Sequence, residues 1–285
     1  MKKLLLYCTL LLTGILWAQS PDALKKSFDE LSQLSSPANV NQQIGITDVD
    51  ISYYRPNANG RKIWGDLVPY DKVWRAGANF ATTITFTTDI RINNEKLKAG
   101  KYALFVLPTR ENWTFIFNSR SFQFGTFFYQ GKTDVLRILV KPRKTKSTVE
   151  SLKYSFDNIV FNKGNLTMAW GEREGTMNIT TNIDDIVERV NARANNAKNN
   201  KNSQAYVDVA AWAIDHNMMI DKVEDWLGSS REIEESFGNN FLEARLAAHY
   251  KKYDEAISLA TKVAQKFPSF KSVTDSFISI WEKEK

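Results

Sequence analysis

The chain has 285 residues, of which 43% are hydrophobic and 25% are charged, and its formal net charge is +6 at pH 7. This length is sufficient for two domains with separate cores. The single cysteine, Cys8, lies near the N-terminus, so disulfides, thiol catalysis and cysteine-based zinc sites are excluded from the rest of the chain. The sequence has two histidines, His216 and His249. The residues before His216 therefore contain no histidine that could act as a general base or complete a Ser-His-Asp triad.

The first residues have the pattern of a secretory signal. Lys2 and Lys3 provide a basic start, Leu4 to Leu16 are mostly apolar, and Ala18 is a small residue suited to cleavage. The apolar run is shorter than the roughly 20 residues that span a bilayer, which argues against a transmembrane anchor. We therefore expect a signal peptide over residues 1–18, cleavage near Ala18, and export to the periplasm or the exterior. We expect no stable membrane span in the mature chain.

The next stretch has helical spacing. Its apolar residues are Leu24, Phe28, Leu31 and Leu34. Ser20 and Pro21 suit the cap and the first turn of a helix. We expect an N-terminal helical segment over residues 19–36.

From about residue 40 the hydrophobic pattern changes to a period of two. Eight or more short stretches alternate in this way as far as Ile179, and several are separated by Asn-Gly, Ala-Gly, Lys-Gly or Glu-Gly pairs. Strands at this spacing, without intervening helices, favour an antiparallel β-sandwich of the jelly-roll kind over residues 37–182.

Positive charge is concentrated in this part of the chain. Residues 36–183 contain 20 Lys or Arg against 12 Asp or Glu. The surplus is densest at Lys141, Arg143, Lys144 and Lys146, which we interpret as a solvated loop that discourages pairing at a sheet edge. A nucleic-acid site would need exposed aromatic residues among these cations, so we expect no nucleic-acid partner.

Residues 183–285 have helical patterns throughout, interrupted by the polar stretch 195–203. A weak repeat relates Ile220–Trp226 to Tyr253–Leu259, 33 residues later, and residues 244–268 resemble a tetratricopeptide repeat. We expect an α-helical, repeat-like domain, and hence an α+β fold class for the whole chain. This domain could be a cap on the sandwich, or a stack of helical hairpins that offers one face to a protein partner.

Residues 60–83 are unusually rich in aromatic residues, fixed cations and glycine. The candidate ligand-binding residues are Arg61, Trp64, Tyr70, Trp74, Arg75, Asn79 and Thr82. Tryptophan faces with Arg and Asn donors suit a sugar ring or a carboxylate. The same residues could instead form a structural lock, because guanidinium groups often stack on tryptophan inside a fold.

Catalysis has weaker candidates. A carboxylate-dependent hydrolase needs two opposed acids, for which Asp66, Asp71 and Glu95 are available. Aspartates in turn contexts such as Trp-Gly-Asp usually cap backbone amides. Asp48 and Asp50 share a strand face but supply too few oxygens for calcium. We therefore expect no catalytic residue, no metal and no cofactor.

Several motifs resemble a bacterial family known as domain of unknown function 2911. They are Gly60-Arg-Lys-Ile-Trp-Gly65, Val73-Trp-Arg-Ala-Gly-Ala-Asn79, Leu97-Lys-Ala-Gly-Lys-Tyr-Ala-Leu-Phe-Val-Leu-Pro108, Trp113-Thr-Phe-Ile-Phe-Asn118 and Asp134-Val-Leu-Arg-Ile-Leu-Val-Lys-Pro142. The resemblance covers about residues 37–182. It implies a secreted protein of the kind typical of Bacteroidetes, and the helical tail is similar to an appendage that such proteins often carry.

Two positions depart from the family pattern. Relatives often have an acidic residue where this chain has Phe80, and a tryptophan where it has Phe124. A role for that acid as a base or metal ligand would be lost here. We therefore expect a secreted, non-catalytic binding or structural protein, whose partner is a small polar or saccharide-like ligand or an envelope protein. The alternatives are the carboxylate-dependent hydrolase and a scaffold that acts through its helical tail.

Overall fold

The computed structural model describes residues 20–285. The apolar N-terminal segment, Cys8 and the cleavage site near Ala18 lie outside the described residues. The chain divides into two compact units, one ending at Asn182 and the other spanning Ile183–Lys285. Each unit is described by itself.

A short helix, α1 (Pro21–Asp29), begins the described chain. Ser20 caps it, because its hydroxyl accepts a hydrogen bond from the Ala23 amide at 3.2 Å. The helix is shorter than the sequence pattern suggests, and Leu31 and Leu34 beyond it are exposed. The Asp29 carboxylate at its end accepts a hydrogen bond from the Tyr54 hydroxyl at 2.6 Å, which ties the helix to the first sheet.

Ten strands form two antiparallel sheets. In chain order they are β1 (Ser36–Ile44), β2 (Thr47–Arg55), β3 (Thr82–Phe86), β4 (Ile90–Ile92), β5 (Glu95–Leu97), β6 (Gly100–Pro108), β7 (Trp113–Asn118), β8 (Asp134–Val140), β9 (Arg143–Val160) and β10 (Lys163–Thr181). One sheet has the order β1-β2-β3-β6-β7-β8 and the other β5-β4-β10-β9. The antiparallel sheets, followed by several helices, confirm the predicted α+β class.

The main core of this unit is formed by residues from both sheets. The six-stranded sheet contributes Ile51, Ile84, Leu104 and Phe117, and the four-stranded sheet contributes Leu152, Leu166, Met168 and Ile179. Ile51 and Ile84 have more exposed neighbours on their strands, whereas the neighbours of Leu104 and Phe117 are buried as well. A smaller cluster, which includes Phe105 and Ile116, lies on the other face of the six-stranded sheet.

The sequence suggested that the basic cluster is a loop, but only Lys141 lies in the connection between β8 and β9. Arg143, Lys144 and Lys146 lie in the first part of β9, the last strand of its sheet, which pairs with β10. These positions are exposed, so the period-two pattern that identifies a half-buried strand is missing there. Lysine on an edge strand still discourages pairing with another chain.

The second unit has six helices: α2 (Ile183–Asn200), α3 (Ser203–His216), α4 (Val223–Ile233), α5 (Phe237–His249), α6 (Tyr253–Lys266) and α7 (Lys271–Glu284). The polar stretch 195–203 was expected to break the helix, but α2 continues through it to Asn200. The break comes at Lys201 and Asn202, where Asn202 caps α3 through the Ala205 amide at 3.0 Å. Nowhere in residues 20–285 is there a helix that is long and apolar enough to cross a membrane.

Three of these helices begin at equal intervals. Ser203, Phe237 and Lys271 start α3, α5 and α7, and successive starts are 34 residues apart. The three helices are also neighbours: α3 and α5 share a core with α4, and Phe241 of α5 contacts the ring of Phe277 in α7 at 5.1 Å. The helical unit therefore has a regular spacing of about the length of one helical hairpin repeat.

Candidate functional site

The segment between β2 and β3, residues 56–81, contains most of the candidate ligand-binding residues. Short backbone bridges fix it, because Trp64 pairs with Val68 and Trp74 pairs with Val106 of β6. Gly65 has a φ of +87°, and a Cβ at this position would lie 2.5 Å from the Tyr70 ring. Glycine is therefore required at position 65 for the turn and for the position of Tyr70.

Trp64 and Trp74 lie inside the sandwich, with 7% and 9% of their surfaces exposed. Trp64 packs on Trp113 with a centroid distance of 4.1 Å, and Trp74 stacks on Trp170 at 5.7 Å. Both indole N–H groups donate to backbone carbonyls, Trp64 to Trp170 at 3.0 Å and Trp74 to Gly77 at 3.1 Å. Their polar groups are therefore satisfied within the fold.

Three further candidate residues lie near the end of the segment or at the start of β3. Thr82 is fully buried, and its hydroxyl donates to the Ala76 carbonyl at 2.8 Å. The carbonyl of Asn79 accepts a hydrogen bond from the Gly125 amide at 3.0 Å. Arg75 is half-buried, and burial lowers the pKa of its guanidinium. Its Nε is buried and has no hydrogen-bond partner within the described residues.

A cleft of about 600 Å³ opens beside the same segment. Of the seven candidate residues, Arg61, Trp64 and Tyr70 line it, whereas Trp74, Arg75, Asn79 and Thr82 do not. The remaining lining residues are Ala58, Gly60, Lys62, Ile63, Thr148, Glu150, Gly171, Glu172 and Arg173. The structure therefore places three of the seven residues at the cleft and four away from it.

The strands β9 and β10 supply the polar side of this cleft. Their pairing shifts register on both sides of Gly171, which has a φ of +61°. Such an irregularity bends a strand and redirects its side chains. It brings Glu172 and Arg173 to the cleft opposite the segment that carries Arg61.

The charged groups of the cleft differ in how they are held. The Arg61 guanidinium donates to the carbonyls of Ala58 and Asn57, at 2.8 and 2.6 Å, and is therefore fixed against its own loop. One oxygen of Glu150 accepts a hydrogen bond from the Asn59 amide at 2.7 Å. Lys62 and Arg173 form no ion pair within residues 20–285, so their cationic groups are available to a bound molecule.

The sequence did not single out five of these polar residues: Lys62, Thr148, Glu150, Glu172 and Arg173. Four of them are more than 60 positions away from residues 60–83, and only strand pairing brings them to the cleft. The available signal was Gly171, an isolated glycine in a strand pattern, which often marks a bulge.

The carboxylates considered for catalysis lie elsewhere. Asp66 and Asp71 are exposed in turns, and Glu95 is exposed on β5. None of these three lines the cleft, whereas Glu150 and Glu172 do. Among residues 20–285, no group of three or more His, Cys, Asp or Glu residues is placed to hold a metal ion.

Both histidines lie on helices of the second unit. His216 stacks on Trp212 with a centroid distance of 4.8 Å, and its Nδ1 lies 2.8 Å from the Trp212 carbonyl. His249 contacts Tyr250 edge-on at 5.4 Å. Each imidazole ring therefore contacts an aromatic side chain that lies within one helical turn of it in the sequence.

A search of the curated proteins found no match to this chain, and neither did a search of the solved structures. A family model does match. The family described as "Protein of unknown function (DUF2911)" matches residues 35–179, which include the cleft and all but the last two residues of the sheets. The match covers just over half of the 285 residues, and the chain therefore belongs to this family.

Proposed function

We propose that this chain is an exported binding protein whose sandwich holds a polar, saccharide-like ligand in the cleft beside Arg61. The observation that carries the proposal is the composition of that cleft. It combines the aromatic side chains of Trp64 and Tyr70 with cations and carboxylates from two separate parts of the chain. Its volume of about 600 Å³ is within the range usual for small-molecule sites.

The arrangement favours a ligand with many hydroxyl groups. Lys62 and Arg173 can donate hydrogen bonds, and Glu150 and Glu172 can accept them. A strongly anionic ligand would be repelled by the carboxylates, and a strongly cationic one by the cations. An apolar ring face against Tyr70, with hydroxyls directed at the charged groups, satisfies both parts of the cleft.

Export is supported by the N-terminal pattern of Lys2, Lys3 and the apolar residues 4–16. It gives the ligand a natural source, because the bacterial envelope is rich in glycans. The mature protein would then act in the periplasm or outside the cell.

We assign the helical unit to a protein partner. The 34-residue spacing of Ser203, Phe237 and Lys271 is the length of a tetratricopeptide repeat and supports that interpretation. Stacked hairpins of this kind present an extended surface. The chain would then connect a ligand on its sandwich to an envelope protein on its helices.

Isothermal titration of the full chain against soluble glycans from bacterial envelopes tests the proposal. We expect Lys62→Gln and Arg173→Gln each to weaken binding about tenfold, since each removes a charge-assisted hydrogen bond. Lys153→Gln, which changes an exposed cation of β9 outside the cleft, is the matched control and should bind normally. Equal affinity in all three variants, or no binding by the native chain, would refute the proposal.

The hydrolase alternative now depends on different residues. Glu150 and Glu172 both line the cleft, and two carboxylates are what glycoside hydrolysis requires. If the bound glycan is cleaved, Glu172→Gln should abolish turnover while binding persists. An intact glycan after prolonged incubation with the native chain would exclude this alternative.

A further inference from the structure

The connection between β7 and β8 exposes an unusual amount of aromatic surface. We name residues 119–133 the phenylalanine loop. It contains four phenylalanines that are exposed to solvent: Phe122, Phe124, Phe127 and Phe128. Phe127 and Phe128 are the most exposed, at 85% and 59%. Adjacent aromatic side chains left in water to this extent are a sign of an interaction surface.

The two most exposed side chains lie at the tip of a reverse turn. The Tyr129 amide donates to the Thr126 carbonyl at 3.2 Å, so Phe127 and Phe128 are the central residues of that turn. Behind the tip, the Gly125 amide donates to the Asn79 carbonyl at 3.0 Å, which holds the loop to the neighbouring segment. The tip is therefore a convex projection whose backbone is tied back to the sandwich.

Polar side chains fix the base of the loop. Asn118 is fully buried and donates to the Thr133 hydroxyl at 2.9 Å and to the Asp134 carboxylate at 2.8 Å. The Tyr129 hydroxyl donates to the same carboxylate at 2.7 Å. Phe127 and Phe128 take no part in this network. The hydrogen bonds that fix the base of the loop therefore do not depend on these two side chains.

The charges within the loop have one sign. Arg120 and Lys132 are exposed, and residues 119–133 contain no Asp or Glu. The next carboxylate, Asp134, is almost fully buried and pairs with Arg137 at 2.7 Å. An aromatic tip between exposed cations complements a surface that is apolar below and negatively charged at its boundary.

The loop lies against the helix that follows the apolar N-terminal segment. Phe28 of α1 contacts Phe124 at 6.4 Å and Phe80 at 5.4 Å. α1 begins at Pro21, only five positions after the apolar residues 4–16 end. The loop is therefore held against α1 by ring contacts of Phe28.

We propose that the phenylalanine loop docks the protein on an anionic phospholipid surface, with Phe127 and Phe128 entering the interface and Arg120 and Lys132 contacting the headgroups. A lipid interface accepts a convex apolar tip without a matching cavity. A protein partner would need a pocket of complementary shape, and nothing in the loop's charge specifies one. This docking is independent of the glycan site, which lies on other residues.

Co-sedimentation with vesicles tests the docking. The full chain is mixed with vesicles of equal parts phosphatidylethanolamine and phosphatidylglycerol, or with vesicles of phosphatidylcholine alone. We expect Phe127→Ser combined with Phe128→Ser to lower binding to the anionic vesicles at least about tenfold, since two apolar side chains no longer leave water. Residues 1–19 are the same in every variant, so any contribution from the apolar segment cancels.

The matched control changes Ile159 and Val160 to serine. These are two exposed apolar neighbours at the end of β9, and we expect their loss to leave binding unchanged. Arg120→Gln combined with Lys132→Gln should weaken binding to anionic vesicles only, and should reduce its sensitivity to salt. Equal sedimentation of the native chain and the phenylalanine variant, both with unchanged near-ultraviolet circular dichroism, would overturn the proposal. So would a loop-dependent protein complex in the absence of vesicle binding.

Discussion

At the scale of single residues, the tryptophans show why the sequence left two interpretations open. Trp64 and Trp74 belong to a segment that looks equally suited to a binding surface or to a structural lock. Their burial depends on two other tryptophans from strands far along the chain. Trp113 packs against Trp64, and Trp170 stacks on Trp74. Sequence alone gives residue types but not these partners. It could therefore identify the segment, but it could not separate its interior residues from those that line the cleft.

Arg75 leads to the first prediction. Its buried Nε has no hydrogen-bond partner among residues 20–285, and burial lowers the pKa of its guanidinium. Desolvation of this N–H therefore destabilises the folded state without a compensating hydrogen bond. Arg75→Met keeps the apolar stem and removes the charge. We expect the free energy of unfolding in urea to be unchanged or up to about 1 kcal/mol higher.

Arg75→Ala is the comparison for this variant. It also removes the stem, and we expect it to be less stable than Arg75→Met. A loss of about 2 kcal/mol or more in Arg75→Met would show that the guanidinium has a stabilising partner in solution.

At the scale of elements, the sequence predicts most strands because one face of each is buried. β2 and β3 alternate in burial along most of their length, whereas β6 and β7 are mostly continuous buried apolar runs. The start of β9 is exposed, so it has no such pattern and was interpreted as a loop. α2 continues through Asn195–Asn200 because Ala194 and Ala197 are buried on one face, although their neighbours are polar. Local composition therefore does not predict secondary structure where tertiary packing or an edge position in a sheet determines it.

The base of the phenylalanine loop leads to a pH prediction. Burial and the hydrogen bond to Asp134 raise the pKa of Tyr129 from 10.0 to about 12. The folded protein therefore holds this proton more tightly than the unfolded chain. The resulting stabilisation is complete below about pH 10 and is lost as the pH rises through about 12.

We expect the free energy of unfolding to fall less steeply between these pH values in Tyr129→Phe than in the native chain. Guanidinium denaturation at several alkaline pH values measures this slope. The pKa values of Tyr54, Tyr102 and Tyr154 are also raised by burial, but these residues are present in both proteins and their effects cancel. If the free energy of unfolding falls equally steeply with pH in both proteins, the raised pKa of Tyr129 is contradicted.

At the scale of the whole molecule, each unit has its own hydrophobic core. The clusters of the first unit are built from residues 38–179, and those of the second from residues 190–281. The first unit also contains the whole cleft. The change from a period of two to a helical period near residue 182 is visible in the sequence, because it depends on composition rather than on distant contacts.

A chain that ends at Asn182 should therefore fold without the helices. We expect it to unfold cooperatively in urea, with the near-ultraviolet circular dichroism of its packed tryptophans retained. It should also bind the same glycan as the full chain, because no cleft residue is removed. A non-cooperative transition with weak near-ultraviolet signals would show that the sandwich needs residues 183–285 to fold.

Hydrogen–deuterium exchange can show whether the cleft beside Arg61 is the ligand site. The full chain is compared with and without the envelope glycan that binds it most tightly. We predict slower exchange around residues 58–64 and 171–173, with the phenylalanine loop and the helices of residues 183–285 unchanged. Protection confined to other segments, or no protection by any glycan, would show that this cleft is not the ligand site.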